Sequence, residues 1–285
     1  MANKIENTSG KHRRKGESYA IVQEEVQQYK EQGYIVLREV LTEAEMKTLD
    51  PWFDHFVAGK EMDKMARDFC DMSQPYGTPM GKFQLVNAMC PSKYRPELAN
   101  NIFYKIANAI ADQLYTEGEA AMDYEQFLAK KPSKVGAEFA MHQDLGYWPK
   151  TKNTWTATFS LALSDSELIN GCLQVIPGTN KEPELRKHIP KPYHGDGEEK
   201  VNRDDSHTLI ITTSATDEKV YLPVKRGDIT IHDERIIHGS GGNNSKEWRK
   251  TYVMAFRDVN TIKEERAMGF THSHNDEVNW DEIIK

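Results

Sequence analysis

The sequence is poor in several features that mark large protein classes. Only three cysteines, Cys70, Cys90 and Cys172, occur in 285 residues. Their odd number and wide spacing predict a reducing compartment, with neither a disulfide framework nor a clustered zinc site. No apolar run approaches membrane-spanning length, and the polar start does not resemble a signal peptide. We therefore expect a cytoplasmic protein that does not associate with a membrane.

Basic charge is also scarce. Lysine and arginine total 37 against 44 acidic residues, which gives a formal net charge of −7. A nucleic-acid-binding protein needs a basic face to meet phosphate, so nucleic acid is not an expected partner. The one dense basic run is KHRRK at 11–15, in a polar stretch. We interpret residues 1–17 as a disordered leader.

Helical patterns come first in the chain and strand patterns come second. Apolar residues at helical spacing in 21–29 predict a helix that ends at Gly33. Thr42, with Glu45 three residues later, has the pattern of a capping box at the start of the next helix. From about 120 to 260, short β-like runs alternate with turn residues, which favours a sandwich or barrel.

The chain shows no internal repeat and no linker. We therefore predict a single domain over residues 18–285, mainly β with flanking helices and an N-terminal helical portion. The segment 180–207 is polar and contains several prolines and glycines. Long loops of this kind in compact domains are often functional, so we predict a lid here.

The motif AMHQDLGYW at 140–148 places His142 and Asp144 two residues apart. Side chains at i and i+2 of an extended segment point the same way, so the two can converge on one ion. An imidazole and a carboxylate suit a divalent metal. The pair alone is weak evidence, because a structural hydrogen bond would explain it equally well.

A third ligand is available in GDITIHDERIIHGSGGNNS, where a predicted strand and turn lead to His238. Two histidines and one carboxylate form the facial triad of non-haem Fe(II) oxygenases, which leaves coordination positions open. Arg249, eleven residues further on, begins the next predicted strand and could clamp a carboxylate of a cosubstrate. Ser240 could donate a hydroxyl hydrogen bond to the same group.

These segments resemble the phytanoyl-CoA dioxygenase family of Fe(II)/2-oxoglutarate oxygenases. The resemblance rests on HQDLGYWP, NGCLQVIPGTN and RGDITIHDERIIHGSGGNNSKEWRK, with YKEQGYIVLREVLTEAEM as an entry segment, and spans roughly residues 25–260. It implies a double-stranded β-helix, a jelly-roll or cupin-like barrel. It also implies iron ligation by His142, Asp144 and His238, and binding of 2-oxoglutarate by Arg249 with Ser240. The segment GKFQ adds Lys82 and Gln84 as further cosubstrate candidates.

The expected reaction uses Fe(II), 2-oxoglutarate and O2 to hydroxylate an unactivated C–H bond, with release of succinate and CO2. Tyr147 and Trp148 follow the metal motif and are candidates for the substrate wall. Gln126 and Lys130, on the preceding strand, are further substrate candidates, although they could equally face water. His232 could support a metal ligand or belong to the core, and we favour the core; we expect His272 and His274 to be exposed to solvent.

Three alternatives stay open from the sequence. A zinc hydrolase could use the same three ligands, although it would not need Arg249. A β-barrel that binds without catalysis is a second alternative. A relative with a non-hydroxylating outcome, such as desaturation, epimerisation or ring closure, is a third. The basic residues of 180–207 hint at a polar or anionic small molecule, and neither its identity nor the oligomeric state follows from the sequence.

Overall fold

A computed structural model describes residues 12–133, 137–191 and 208–278. Residues 1–11 of the predicted leader, 192–207 of the predicted lid and 279–285 lie outside this description. The helices are α1 (Gln23–Gln32), α2 (Glu43–Val57), α3 (Met62–Met65), α4 (Pro91–Tyr94), α5 (Ile102–Leu114) and α6 (Val259–Ala267). The strands are β1 (Arg14–Lys15), β2 (Ser18–Tyr19), β3 (Tyr34–Leu37), β4 (Phe69–Asp71), β5 (Leu85–Met89), β6 (Ala120–Lys130), β7 (Phe139–His142), β8 (Thr156–Ala162), β9 (Leu173–Ile176), β10 (His188–Pro190), β11 (Leu209–Ile211), β12 (Val220–Leu222), β13 (Ile229–Asp233), β14 (Ile237–Ser240) and β15 (Arg249–Asp258).

Two antiparallel sheets form the centre of the protein. The larger has seven strands in the order β3-β13-β8-β15-β6-β5-β4, and the smaller has four in the order β12-β9-β14-β7. Every strand pair in both sheets is antiparallel. Such a pair of sheets, with helices added mainly at the N-terminal side, is the arrangement of a jelly roll. The predicted fold class is confirmed.

The larger sheet presents a different chemistry on each face. Successive side chains of a strand point to opposite faces. On β15, Tyr252 and Met254 belong to the main apolar core with the helices, whereas Arg249, Thr251 and Val253 line a cavity toward the smaller sheet. The same alternation on β6, β8 and β13 directs these residues to the helix side: Phe127, Ala129, Phe159, Leu161, Ile229 and Ile231.

The predicted helix signals are confirmed. Gly33 adopts a left-handed conformation at the end of α1, with φ of 80°, and its N–H bonds to the Tyr29 carbonyl. Thr42 caps α2: its hydroxyl accepts from the Glu45 N–H at 3.3 Å, and the Glu45 carboxylate accepts from the Thr42 N–H at 2.8 Å. The buried face of α2 then packs on the large sheet through residues such as Phe53, whose ring meets that of Phe127 edge-on.

Two segments differ from their predictions. Residues 12–17 do not form a disordered leader, because β1 pairs with β2 and Arg14 forms an ion pair with Glu45 at 2.8 Å. The described part of the predicted lid, 180–191, contains β10, which pairs with β11. There Arg186 forms ion pairs with Glu182 and Asp217, each at 2.6 Å. Among the helices of the described ranges, none combines the length and apolarity needed to cross a bilayer.

Candidate metal and cosubstrate site

Strand register brings the two candidate histidine ligands together. His142 is the last residue of β7 and lies directly opposite His238 of β14, with their ring centroids 4.2 Å apart. Asp144 follows His142 after one extended residue and begins a short 3-10 turn. Residues more than ninety positions apart in the chain therefore meet at the end of one strand pair.

The three side chains have the donor geometry of a metal site. The Nε2 atoms of His142 and His238 each lie 3.3 Å from the same Asp144 oxygen, Oδ1. The Nδ1 atoms of both rings face backbone carbonyls, Ala140 O at 2.7 Å and Ile236 O at 3.0 Å. Each Nδ1 is then the protonated nitrogen, which leaves the Nε2 lone pair free to bind a metal. This donor set fits a divalent iron.

Two further side chains donate hydrogen bonds to Asp144. Its other oxygen, Oδ2, accepts from Thr158 Oγ1 at 3.1 Å and from His232 Nε2 at 3.2 Å. Burial alone would raise the pKa of Asp144, but His238, with His142 and His232, lowers it well below its usual value. The prediction that His232 is only a core histidine is wrong, since its ring contacts the candidate carboxylate ligand. His232 lies two residues after Thr230 on the same strand, so both side chains point toward the cavity. This spacing was the sequence signal that could have placed His232 near the metal ligands.

The triad lines an inner cavity between the two sheets, with an empty volume of about 740 Å³ including space open to solvent. Arg249 and Ser240 line this cavity as well. Arg249 is 7 % exposed, and one of its Nη atoms donates to the Gly171 carbonyl while Nε lacks a partner. Among the described residues, no carboxylate pairs with Arg249. Burial lowers its pKa to about 10, so it remains a cation at neutral pH.

The two candidates on β6 have different surroundings. Gln126 lines the inner cavity and also an outer one, and its side chain makes no hydrogen bond to any residue within the described ranges. Lys130 lines neither cavity. It is fully buried behind Ser240, and its Nζ lies 2.6 Å from the Ser240 hydroxyl. Its placement as a substrate contact is therefore corrected: Lys130 lies at the end of the site that contains Arg249.

Lys82 and Gln84 are not brought to the site. Lys82 is exposed in a short turn before β5, and neither residue lines the inner or outer cavity. The Gln84 amide donates to the Lys82 carbonyl at 3.3 Å, and the Gln84 backbone N–H bonds to Asp71. The second contact ties the turn to β4.

An outer cavity continues from the triad to the surface, with an empty volume of about 1050 Å³ including space open to solvent. His142 and Asp144 line both cavities, so the candidate metal site lies where they meet. The ring of Tyr147 packs edge-on against His142 at 5.3 Å, and Trp148 lines the same outer cavity. The structure therefore places both predicted wall residues beside the triad.

The opposite wall of the outer cavity is the C-terminal segment Phe270–Val278, which the sequence did not connect to the site. His272 is 5 % exposed, so its predicted exposure to solvent is wrong. Its ring stacks on Tyr124 at 4.4 Å, and its Nε2 lies 2.8 Å from Asp123. No local pattern signals this position, because the contacts form only when the segment folds back after α6.

A buried ion network fixes the segment. Arg257 is completely buried between Asp123 and Glu265, and its Nη1 also lies 2.9 Å from His272 Nε2. Asp123, Glu265 and His272 are close enough to share a metal, but the Arg257 guanidinium already supplies their positive charge. Arg257 also lies over the Trp148 ring, 4.1 Å from its centroid. The network thus connects both walls of the outer cavity.

Solved structures share this fold. EvdO2 from Micromonospora carbonacea var. aurantiaca, solved in complex with 2-oxoglutarate, superposes with a TM-score of 0.66 at 22 % identity over 84 % of this chain and 92 % of its own. The 2-oxoglutarate-dependent carbocyclase SnoK of nogalamycin biosynthesis has a TM-score of 0.63 at 21 % identity, over 84 % of both chains. At these identities the likeness establishes the fold.

Sequence comparison gives the family. Bovine peroxisomal phytanoyl-CoA dioxygenase is 25 % identical over 239 residues, which cover 81 % of this chain and 67 % of the relative. The mouse protein is 28 % identical over 149 residues, 49 % of this chain and 40 % of the relative. By class, the chain is a 2-oxoglutarate-dependent dioxygenase. It belongs to the phytanoyl-CoA dioxygenase family, whose model matches residues 29–251, as the sequence motifs predicted.

Proposed function

We propose that this protein hydroxylates an sp3 carbon of a small molecule, using Fe(II), 2-oxoglutarate and O2. The observation that carries the proposal is the composition of the inner cavity. It is lined by a two-histidine, one-carboxylate donor set and by a buried arginine without an anionic partner among the described residues. A buried unpaired cation is costly, and the carboxylate of a bound cosubstrate would compensate it.

Each residue has a defined task in this proposal. His142, Asp144 and His238 would hold iron on one face, with Thr158 and His232 orienting the carboxylate. Arg249 and Ser240 would bind the distal carboxylate of 2-oxoglutarate. When bound, iron and 2-oxoglutarate together supply the activation of O2, with succinate and CO2 as co-products.

The substrate would bind in the outer cavity, which reaches the triad between Tyr147 and the C-terminal segment. Its lining combines aromatic and apolar walls, such as Phe139 and Trp148, with polar groups that include Arg67 and Gln126. The free Gln126 amide can donate to or accept from a substrate group near the metal. This lining supports a small polar or anionic metabolite that has an apolar part.

The central test is a pair of variants on one strand. Arg249→Ala should raise the KM for 2-oxoglutarate by roughly 10- to 100-fold while iron binding survives, because a charge-assisted contact is worth roughly 1.5–3 kcal/mol. Lys250→Ala is the matched control, since Lys250 forms an exposed ion pair with Asp54 outside the cavity. His238→Ala should abolish iron binding. An unchanged KM in Arg249→Ala would refute the cosubstrate role.

A second measurement separates the alternatives. Substrate-stimulated consumption of 2-oxoglutarate and O2, screened across metabolite classes, would exclude both a hydrolase and a barrel that only binds. Mass analysis of the product should show a gain of one oxygen. Loss of two hydrogens, or an isomer of unchanged mass, would instead assign a desaturase, cyclase or epimerase outcome at the same site.

A further inference from the structure

Two basic residues are neighbours at the end of the inner cavity that Arg249 lines. Arg249 of β15 is the direct cross-strand partner of Lys130 of β6. Directly opposed residues in an antiparallel pair project from the same face of the sheet, and like charges in that arrangement repel. Lys130 is fully buried and Arg249 nearly so. The strand register therefore places two basic side chains next to each other in a largely buried position, where a charge on both is costly.

No opposite charge balances this pair within the described ranges, where neither residue forms an ion pair with a carboxylate. Two acidic groups favour the charged forms of these side chains: Glu138, which is exposed, acts on Lys130, and the thiol of Cys172 acts on both Lys130 and Arg249. Burial raises the pKa of the Cys172 thiol, so this group is neutral at physiological pH. Burial, with the nearby Arg249, lowers the pKa of Lys130 well below its usual value.

The contacts of Lys130 suit two protonation states. Nζ has three oxygen neighbours: the Ser240 hydroxyl at 2.6 Å, the Ser240 carbonyl at 3.2 Å and the Gly241 carbonyl. An ammonium donates one hydrogen to each, so the Ser240 oxygen accepts and its own hydrogen is free to point into the cavity. A neutral amine has one hydrogen fewer and a lone pair that can accept from Ser240 instead. The hydroxyl then no longer offers its hydrogen to a ligand.

We propose that Lys130 is a positioning residue that takes up a proton when a carboxylate binds at Arg249 and Ser240. This inference rests on the proposed function, which supplies the carboxylate as that of 2-oxoglutarate. The protonated lysine would turn the Ser240 hydroxyl toward the anion and would add a second positive charge behind it. Lys130 itself does not touch the ligand, because it does not line the cavity.

If Lys130 takes up a proton when 2-oxoglutarate binds, the affinity for 2-oxoglutarate must depend on pH in a defined direction. A bound anion favours the charged lysine and so raises its pKa relative to the free protein. Below both pKa values Lys130 is already protonated, and above both it stays neutral, so binding takes up no proton in either range. Between them, up to one proton is taken up per 2-oxoglutarate, and affinity falls as pH rises.

The test is calorimetric titration of 2-oxoglutarate into anaerobic, Mn(II)-loaded protein. Titrations at each pH from about 6.5 to 9.5, in buffers of different ionisation enthalpy, give the number of protons exchanged. Wild type should show uptake that peaks within this range. Lys130→Met should show none and should bind about tenfold or more weakly at neutral pH. Lys131→Met removes the neighbouring lysine, whose backbone N–H bonds Gln84 outside the cavity, and should match wild type.

The outcomes are distinguishable. If wild type binds 2-oxoglutarate with no proton uptake and unchanged affinity across this range, the coupling is refuted, and this measurement needs no variant to fold. If uptake persists in Lys130→Met, another group takes the proton and the role of Lys130 is refuted. If wild type binds no 2-oxoglutarate at any pH, the proposed function itself fails.

Discussion

Replacing Arg257 should cause a large loss of stability whose size depends on pH. In Arg257→Met, the fully buried carboxylates of Asp123 and Glu265 lose the cation between them. Removal of one partner from a buried ion pair costs about 3–5 kcal/mol, because an uncompensated charge stays in the interior. For a domain of this size that corresponds to a fall in Tm of roughly 5–8 °C.

The stability loss of Arg257→Met depends on pH because the variant leaves buried carboxylates without a neighbouring cation. In the wild type, burial opposes ionisation, but His272 and the arginines hold the pKa of Asp123 far below its usual value. Asp123 therefore stabilises the fold above its unfolded pKa, and this contribution is lost as pH falls through the folded value. In the variant, burial without Arg257 should raise the folded pKa of Asp123 above its wild-type value. Protonation at low pH then relieves the unpaired charge, so the difference from wild type should shrink from pH 8 to pH 5.

The assay is urea unfolding followed by circular dichroism at both pH values. Lys250→Met is the control, since it removes an ion pair to Asp54 whose partners are 37 % and 61 % exposed. Exposed pairs contribute about 0–1 kcal/mol, so the control should unfold almost as wild type. If Arg257→Met loses less than about 1 kcal/mol at pH 8, or if its deficit grows toward pH 5, the reasoning is wrong.

Three further outcomes are expected. His232→Phe should weaken iron binding by about 10- to 100-fold in a chelator competition, because Asp144 loses a donor that orients it; equal affinity would return His232 to a packing role. Gly171→Ala should destabilise the fold by about 1–3 kcal/mol in thermal unfolding, since φ is 73° there and a Cβ would overlap the Gly241 carbonyl; wild-type stability would contradict this. Wild type supplied with excess chloride should yield no chlorinated product by mass spectrometry, because Asp144 would ligate the iron at a coordination position that a halide would need.

Much of the fold could be read from local patterns. On β8 and β15 the apolar residues at alternate positions, such as Phe159 and Tyr252, face the apolar core. The capping box at Thr42 fixed the start of α2. The strands β4 and β5 could not be predicted in this way, because they are short, buried strands without polar alternation. Their pairing depends on β6 rather than on their own sequence.

The sequence predicted those site residues that lie at recognisable strand ends. His142, Asp144, His238 and Arg249 come together because each lies at or beside a strand end that the motifs identify. Lys130 shows the limit of such reading. Its pattern left open whether the side chain faces a substrate or water, and only the register with β15 shows that Arg249 is its neighbour.

His272 could not have been predicted at all. It lies beyond the last strand, in a polar segment without periodicity, and its position depends on Asp123 and Arg257 from two distant strands. Tertiary contacts of this kind leave no local trace in the sequence. The same holds for the β1-β2 hairpin at 14–19, which the ion pair of Arg14 with Glu45 connects to α2.

The two-faced large sheet has a consequence for how this protein can change during evolution. Side chains toward the helices, such as Phe127 and Phe159, maintain the fold, whereas their immediate neighbours Gln126 and Ser160 face the cavity. A mutation at a cavity-facing position alters ligand contacts without creating a void in the apolar core. New substrate specificities can therefore arise by single substitutions at cavity-facing positions, while the core-facing residues beside them keep the fold unchanged. Directed evolution of this protein would do best to randomise alternate positions along β6, β8 and β15.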